Sequence, residues 1–142
     1  MPGFNLTQAS STISAEDDGT VVHLRDAAGD PMLFGAGQPV TLTIAGTYST
    51  CFRRAEAAFN AKLGKRLTQR DAAEAFEGRA AVLAAACVLA WEGFFDGPGE
   101  GRPLPLSAAN AEAVFRAARW IFDQAWEAMN DHAGFSKPGS ST

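Results

Sequence analysis

Two cysteines and two histidines are the side chains of this sequence best suited to covalent chemistry, and their surroundings argue against it. Cys51 and Cys87 have no neighbouring base and no activating motif, which a thiolate nucleophile needs. Both read as buried free thiols in helical segments, and His23 and His132 as surface or capping residues. A metal centre calls for ligands at Cys-x-x-Cys or His-x-x-x-His spacing, which the chain lacks, so no metal and no cofactor is expected. Asp123, Glu127 and Asp131 recur every four residues and would form an acidic stripe, the pattern of a solvated helix face. Gly97-Pro-Gly-Glu-Gly101 has neither the lysine of a phosphate loop nor the strand–glycines–helix order of a dinucleotide site, and reads as a turn. No catalytic residue is assigned, and the chain is not expected to be an enzyme.

Aromatic residues are the remaining resource. Trp91, Phe94, Phe95, Phe115, Trp120, Phe122 and Trp126 crowd the C-terminal half. Most of this set reads as core; any ring surface beyond what a few short helices enclose would be an apolar remainder suited to a protein partner. The expected partner surface is Trp120, Phe122 and Trp126 with Arg53 and Arg54 on an earlier helix. The expected structural core is Phe52, Phe59, Phe76, Leu83, Trp91, Leu104 and Leu106.

The elements that position these residues follow from periodicity. Residues 1–18 are small and polar and read as a flexible N-terminal arm. Residues 19–46 read as a β unit: Thr20–Arg25 suits a strand, Val40–Ile44 alternates with period two, and Met32–Phe34 makes a short middle strand. Such a unit is marginal alone and must lean on helices. Residues 47–135 read as the helical part. Tyr48, Phe52, Ala55, Phe59 and Leu63 lie on one helix face, and Gly64 ends that helix. Thr68 with Asp71 resembles a cap for a central helix over 69–92, closed by Trp91. After a Gly/Pro loop, Ser107 caps residues 108–118 with Leu106 as a hydrophobic staple. A last helix runs to about Asp131, with a bend near Arg119; Phe135 folds back on the core, and 136–142 form a flexible tail. The expected fold is α+β and helix-dominated, with a small N-terminal antiparallel β unit packed on a C-terminal bundle of three to four helices, all one domain over 19–135.

Composition agrees with a single globular domain: 142 residues, 46% hydrophobic and 20% charged. A net charge of −4 with dispersed basic residues excludes nucleic acid as the main partner, because phosphate binding needs clustered Lys and Arg. No signal-peptide pattern opens the chain, and the apolar run Ala80–Trp91 is too short to span a bilayer. A cytoplasmic protein with no membrane partner is expected.

Three stretches together resemble the tail assembly chaperones of long-tailed, siphovirus-like bacteriophages and prophages. Asp18–Asp26 with Gly29-Asp30-Pro31-Met32 resembles that family's opening hairpin. Val40–Gly46 leading to Ser49, Phe52 and Arg53 is similar to its second strand and first helix. Ala84–Cys87, Trp91-Glu-Gly93 and Arg102-Pro-Leu-Pro-Leu106-Ser107-Ala-Ala-Asn110-Ala111 resemble its tryptophan–loop–proline signature, and Trp120 to Phe135 its closing helix. Two departures stand out: Ser107-Ala-Ala-Asn110 replaces the usual proline and glutamate, and Tyr48 replaces an acidic residue. The resemblance implies a non-enzymatic protein that binds and solubilises the tape-measure protein, helps recruit tail-tube protein, forms homo-oligomers and is absent from the mature virion. The alternative is a structural head–tail, neck or minor tail component retained in the particle.

Overall fold

Strand β4 (Thr41–Ile44) organises the molecule in the computed structural model, which describes residues 3–63 and 78–136. Its alternation of hydroxyl and apolar residues buries Leu42 and Ile44 completely and leaves Thr41 and Thr43 half-buried on the other face. Strand β1 (Thr20–His23) pairs antiparallel on one side of it, with Val22 opposite Leu42. The short strands β2 (Leu33–Phe34) and β3 (Gln38–Pro39) form a separate hairpin between β1 and β4.

The other neighbour of β4 comes from far along the chain. Strand β5 (Val88–Glu92) completes an antiparallel sheet of order β1-β4-β5, placing Trp91 opposite Leu42 and Ala90 opposite Thr43. This corrects the expected helix over 69–92. Only Arg79–Ala86 is helical among its described residues, and Trp91 lies on a strand rather than closing a helix. The Cys87 carbonyl accepts the Ala45 N–H at 2.9 Å, so pairing with the β4 end begins as soon as the helix stops. A β partner with unpaired backbone groups outweighs the helical preference of Leu-Ala-Trp. Gly64, Thr68, Asp71 and Phe76, with the expectations placed on them, lie outside the described residues.

Helices cover one side of this sheet. Among the described residues they are α1 (Leu6–Asp18), α2 (Thr50–Leu63), α3 (Arg79–Ala86), α4 (Ala108–Ala117), α5 (Arg119–Asn130) and α6 (His132–Ser136). The fold is a helix-dominated α+β domain. The buried faces of α3, α4 and α5, carrying Leu83, Ala84, Ala111, Phe115, Ile121, Ala125 and Met129, meet Leu42 and Ile44 in one core. Their alanines, Ala84, Ala111 and Ala125 among them fully buried, let these helices approach closely. Ser107 caps α4 by accepting the Asn110 N–H at 3.0 Å, and the break at Ala118 turns the chain into α5, near the expected bend. Phe135 is buried, as expected.

Helix α1 corrects the reading of residues 1–18 as a flexible arm. Asn5 and Gln8 form a reciprocal capping box, and Ala9, Ile13 and Glu16 face inward at helical spacing. Gly46 makes room for this helix: a Cβ there would sit 1.9 Å from Glu16 Oε1. No helix among the described residues is long and apolar enough to cross a membrane.

Candidate functional site

The Gly/Pro loop after β5 builds an open apolar groove beside the sheet edge. Trp91 reaches from β5 and stacks on Phe94, with ring centroids 4.4 Å apart and planes 16° from parallel. Its indole N–H donates to the Leu104 carbonyl at 3.0 Å, and the Leu104 N–H donates to Phe94 O at 2.9 Å. These bonds hold the loop folded against the strand. On the other wall, Phe34 of the β2–β3 hairpin meets Phe95 edge-to-face at 5.9 Å. Gly93 permits this approach: it adopts φ +88°, and a Cβ would lie 2.7 Å from the Phe34 ring.

The resulting cleft has a volume of about 690 Å³ and is lined by Phe34, Leu89, Trp91, Phe94, Leu104 and Leu106 among others. Leu89 is 44% and Leu106 36% exposed. Leu106 is therefore groove wall rather than core, which corrects its assignment, and Leu104 and Trp91 are only half-buried. Phe52 and Leu83 are core as expected. Phe59 is half-buried on α2 beneath the Arg79 guanidinium, which in turn bonds Glu56 at 2.7 Å.

The expected partner residues do not converge on one face. Phe122 and Trp126 stack on each other at 5.7 Å, with Phe115 and Phe52 against them at 5.9 and 6.3 Å, and pack into the core. Trp120 lies about 200° around α5 from Phe122 and is 41% exposed. It shares a face with Gln124, whose side-chain amide bonds both the N–H and the carbonyl of Arg25 at 2.7 Å, continuing the β1 edge in the manner of a strand. Arg53 and Arg54 are both exposed on α2. Arg53 borders a second cleft between α1 and α2, shared with Ile13, Tyr48 and Phe52.

Polar chemistry collects elsewhere. Glu16 is fully buried, accepting the Tyr48 N–H at 2.9 Å and lying 2.7 Å from His132 Nδ1. Tyr48 stacks on the His132 ring at 3.8 Å, and Thr47 Oγ1 stands 3.4 Å from His132 Nε2. This network ties α1 to α6. Glu16 escaped sequence reasoning, although Asn5 with Gln8 and the Ala9–Ile13–Glu16 spacing signal a capped helix with an inward carboxylate. Asp123, Glu127 and Asp131 are exposed, as expected, with Arg119 Nε 3.6 Å from Asp123.

Cys51 and Cys87, far apart in sequence, meet. Their sulfurs are 3.4 Å apart, Cys51 donating to Cys87, and Ser49 Oγ lies 3.3 Å from the Cys51 sulfur. The first thiol to ionise is Cys51, held down to about 6 because the Cys87 thiol, and then Ser49, donate to its thiolate. Cys87 is pushed up by that same bond and by burial. No group of three or more His, Cys, Asp or Glu side chains suited to a metal occurs among the described residues. Compared with known proteins, the chain matches no family model, no curated protein and no solved structure.

Proposed function

We propose that this protein is a tail assembly chaperone of a long-tailed bacteriophage or prophage, which holds the tape-measure protein in solution while tail-tube subunits are recruited. The observation that supports this reading is the groove beside β5. Apart from the Phe34 wall it is built from residues 89–106, within the stretch where the tryptophan–loop–proline resemblance lies, and it offers aromatic and leucine side chains around an edge strand. An amphipathic helix of a long client protein could lay its apolar face there, as helix-in-groove complexes do. On this reading the role is non-enzymatic, and the client surface lies on the groove rather than on Trp120, Phe122 and Trp126. The protein would act in the host cytoplasm as a homo-oligomer and leave before the virion matures.

Co-expression with the tape-measure protein encoded by the same phage tests it. The soluble fraction of the client should rise with the chaperone. Leu89→Glu with Leu106→Glu should remove most of that gain, since a charge in a desolvated anchor position costs roughly tenfold or more in affinity. Trp120→Glu should keep it. An unchanged client solubility with the wild-type protein overturns the reading. Mass spectrometry of purified particles separates it from a head–tail or neck component, which would be retained.

A further inference from the structure

The sequence presents the two cysteines as buried free thiols in helical segments, and the fold puts them in contact. Cys51 stands in the first turn of α2 and is half-buried; Cys87 is the residue that ends α3 and is fully buried. They are 36 positions apart, and their sulfurs need to close from 3.4 Å to the disulfide length of about 2.05 Å. The backbone is anchored at Cys87 itself and, around Cys51, by the first turn of α2. The Arg53 N–H donates to Ser49 O at 3.2 Å, and Cys87 bonds Ala84 O through its N–H and Ala45 N–H through its carbonyl. Cys51 is the more accessible of the two cysteines, and the Ser49 hydroxyl lies 3.3 Å from its sulfur.

We propose that Cys51 and Cys87 form a built-in oxidation site, Cys51 reacting with hydrogen peroxide and Cys87 resolving it to an intramolecular disulfide. The Cys51 thiolate attacks one peroxide oxygen; an S–O bond forms, the O–O bond breaks, and the departing hydroxide takes up the proton that Cys51 released. The product is a sulfenic acid on Cys51. The Cys87 sulfur then attacks the Cys51 sulfur. The S–O bond breaks, and hydroxide leaves as water with the Cys87 proton. Each cysteine loses one electron, and one peroxide becomes two waters. Cys51 is mainly thiolate near neutral pH because of its two donors, which favours the first step. Burial of Cys87 keeps external oxidants from it and leaves Cys51 as its reaction partner. The new bond joins the start of α2 to the junction of α3 with β5.

The experiment treats the reduced full chain with one equivalent of hydrogen peroxide near neutral pH, then blocks remaining thiols with an alkylating reagent under denaturing conditions. The expected product is a monomer lighter by two hydrogens, carrying no alkyl group and restored by dithiothreitol. Its melting temperature should rise by about 10 °C, the scale expected for closing a loop of this length in a domain of this size. Cys87→Ser should stop at a sulfenic acid that dimedone traps on Cys51, whereas Cys51→Ser should leave Cys87 reduced. Should either variant fail to fold, the mass of the oxidised wild-type chain decides by itself. A wild-type product in which Cys51 alone is oxidised while Cys87 takes the alkyl group overturns the proposal, as does a disulfide between two chains.

Discussion

At the scale of single residues, Cys51 and Glu16 have environments that their sequence neighbours do not announce. Cys51 is an acid whose ionisation is easier in the folded protein, from an ordinary value of 9.0 to about 6, so its thiolate favours the native state. That contribution is fully present above about pH 9 and is lost as pH falls through 6. Cys87 acts in the opposite sense, because its raised value penalises the folded state only once pH passes the ordinary thiol range. Between these limits, wild-type stability should therefore climb with pH relative to Cys51→Ser. Urea midpoints of both proteins at several pH values check this, and parallel curves would contradict the assignment of the thiolate to Cys51. The contact itself was illegible in the sequence. Nothing about positions 51 and 87 states that the end of α3 will bring the second thiol back to the start of α2. Glu16 differs: its spacing from Ala9 and Ile13 was readable, but a charged residue on an inward stripe counts against burial unless its partners, here the Tyr48 N–H and His132, are known.

Among the elements, α2 begins with help from another helix. Its first-turn N–H at Thr50 donates to Asp17 Oδ1 at 2.5 Å, and the Thr50 hydroxyl donates to Oδ2 at 2.9 Å. Ser49 accepts the Phe52 N–H at 3.2 Å, so two acceptors from different segments share the cap. Asp17→Ala should lower stability by about 1 kcal/mol, as loss of an N-cap acceptor does, read as a fall in the urea midpoint at unchanged slope. The face of α2, the Ser107 cap and the β1 and β4 strands were legible because each is decided by residues within a few positions of one another. Strand β5 was not. Val88–Glu92 follows an alanine-rich helix without a proline or glycine to break it, and its conformation depends on backbone groups of β4 some fifty residues earlier. The groove was hidden with it, since Leu104 and Leu106 become walls only when Trp91 stands on a strand.

Across the whole molecule, the longest connections are the ones that close it. Glu16 meets His132 over 116 positions and Arg25 meets Gln124 over 99, while β5 fills the sheet from the middle of the chain. Residues 1–87 without the rest should therefore lack a cooperative thermal transition by circular dichroism, because Leu42 and Ile44 would lose β5 on one side and α4 and α5 above. A sharp melt of that fragment would show that the sheet stands without its third strand. The late arrival of β5 also bears on how the protein is made. While the ribosome is still adding residues before Val88, β4 has emerged with one hydrogen-bonding edge open and its apolar face uncovered. The chain would thus pass, at every round of its own translation, through an interval in which a strand edge and an apolar face lie open, and slow decoding ahead of Val88 would lengthen that exposure.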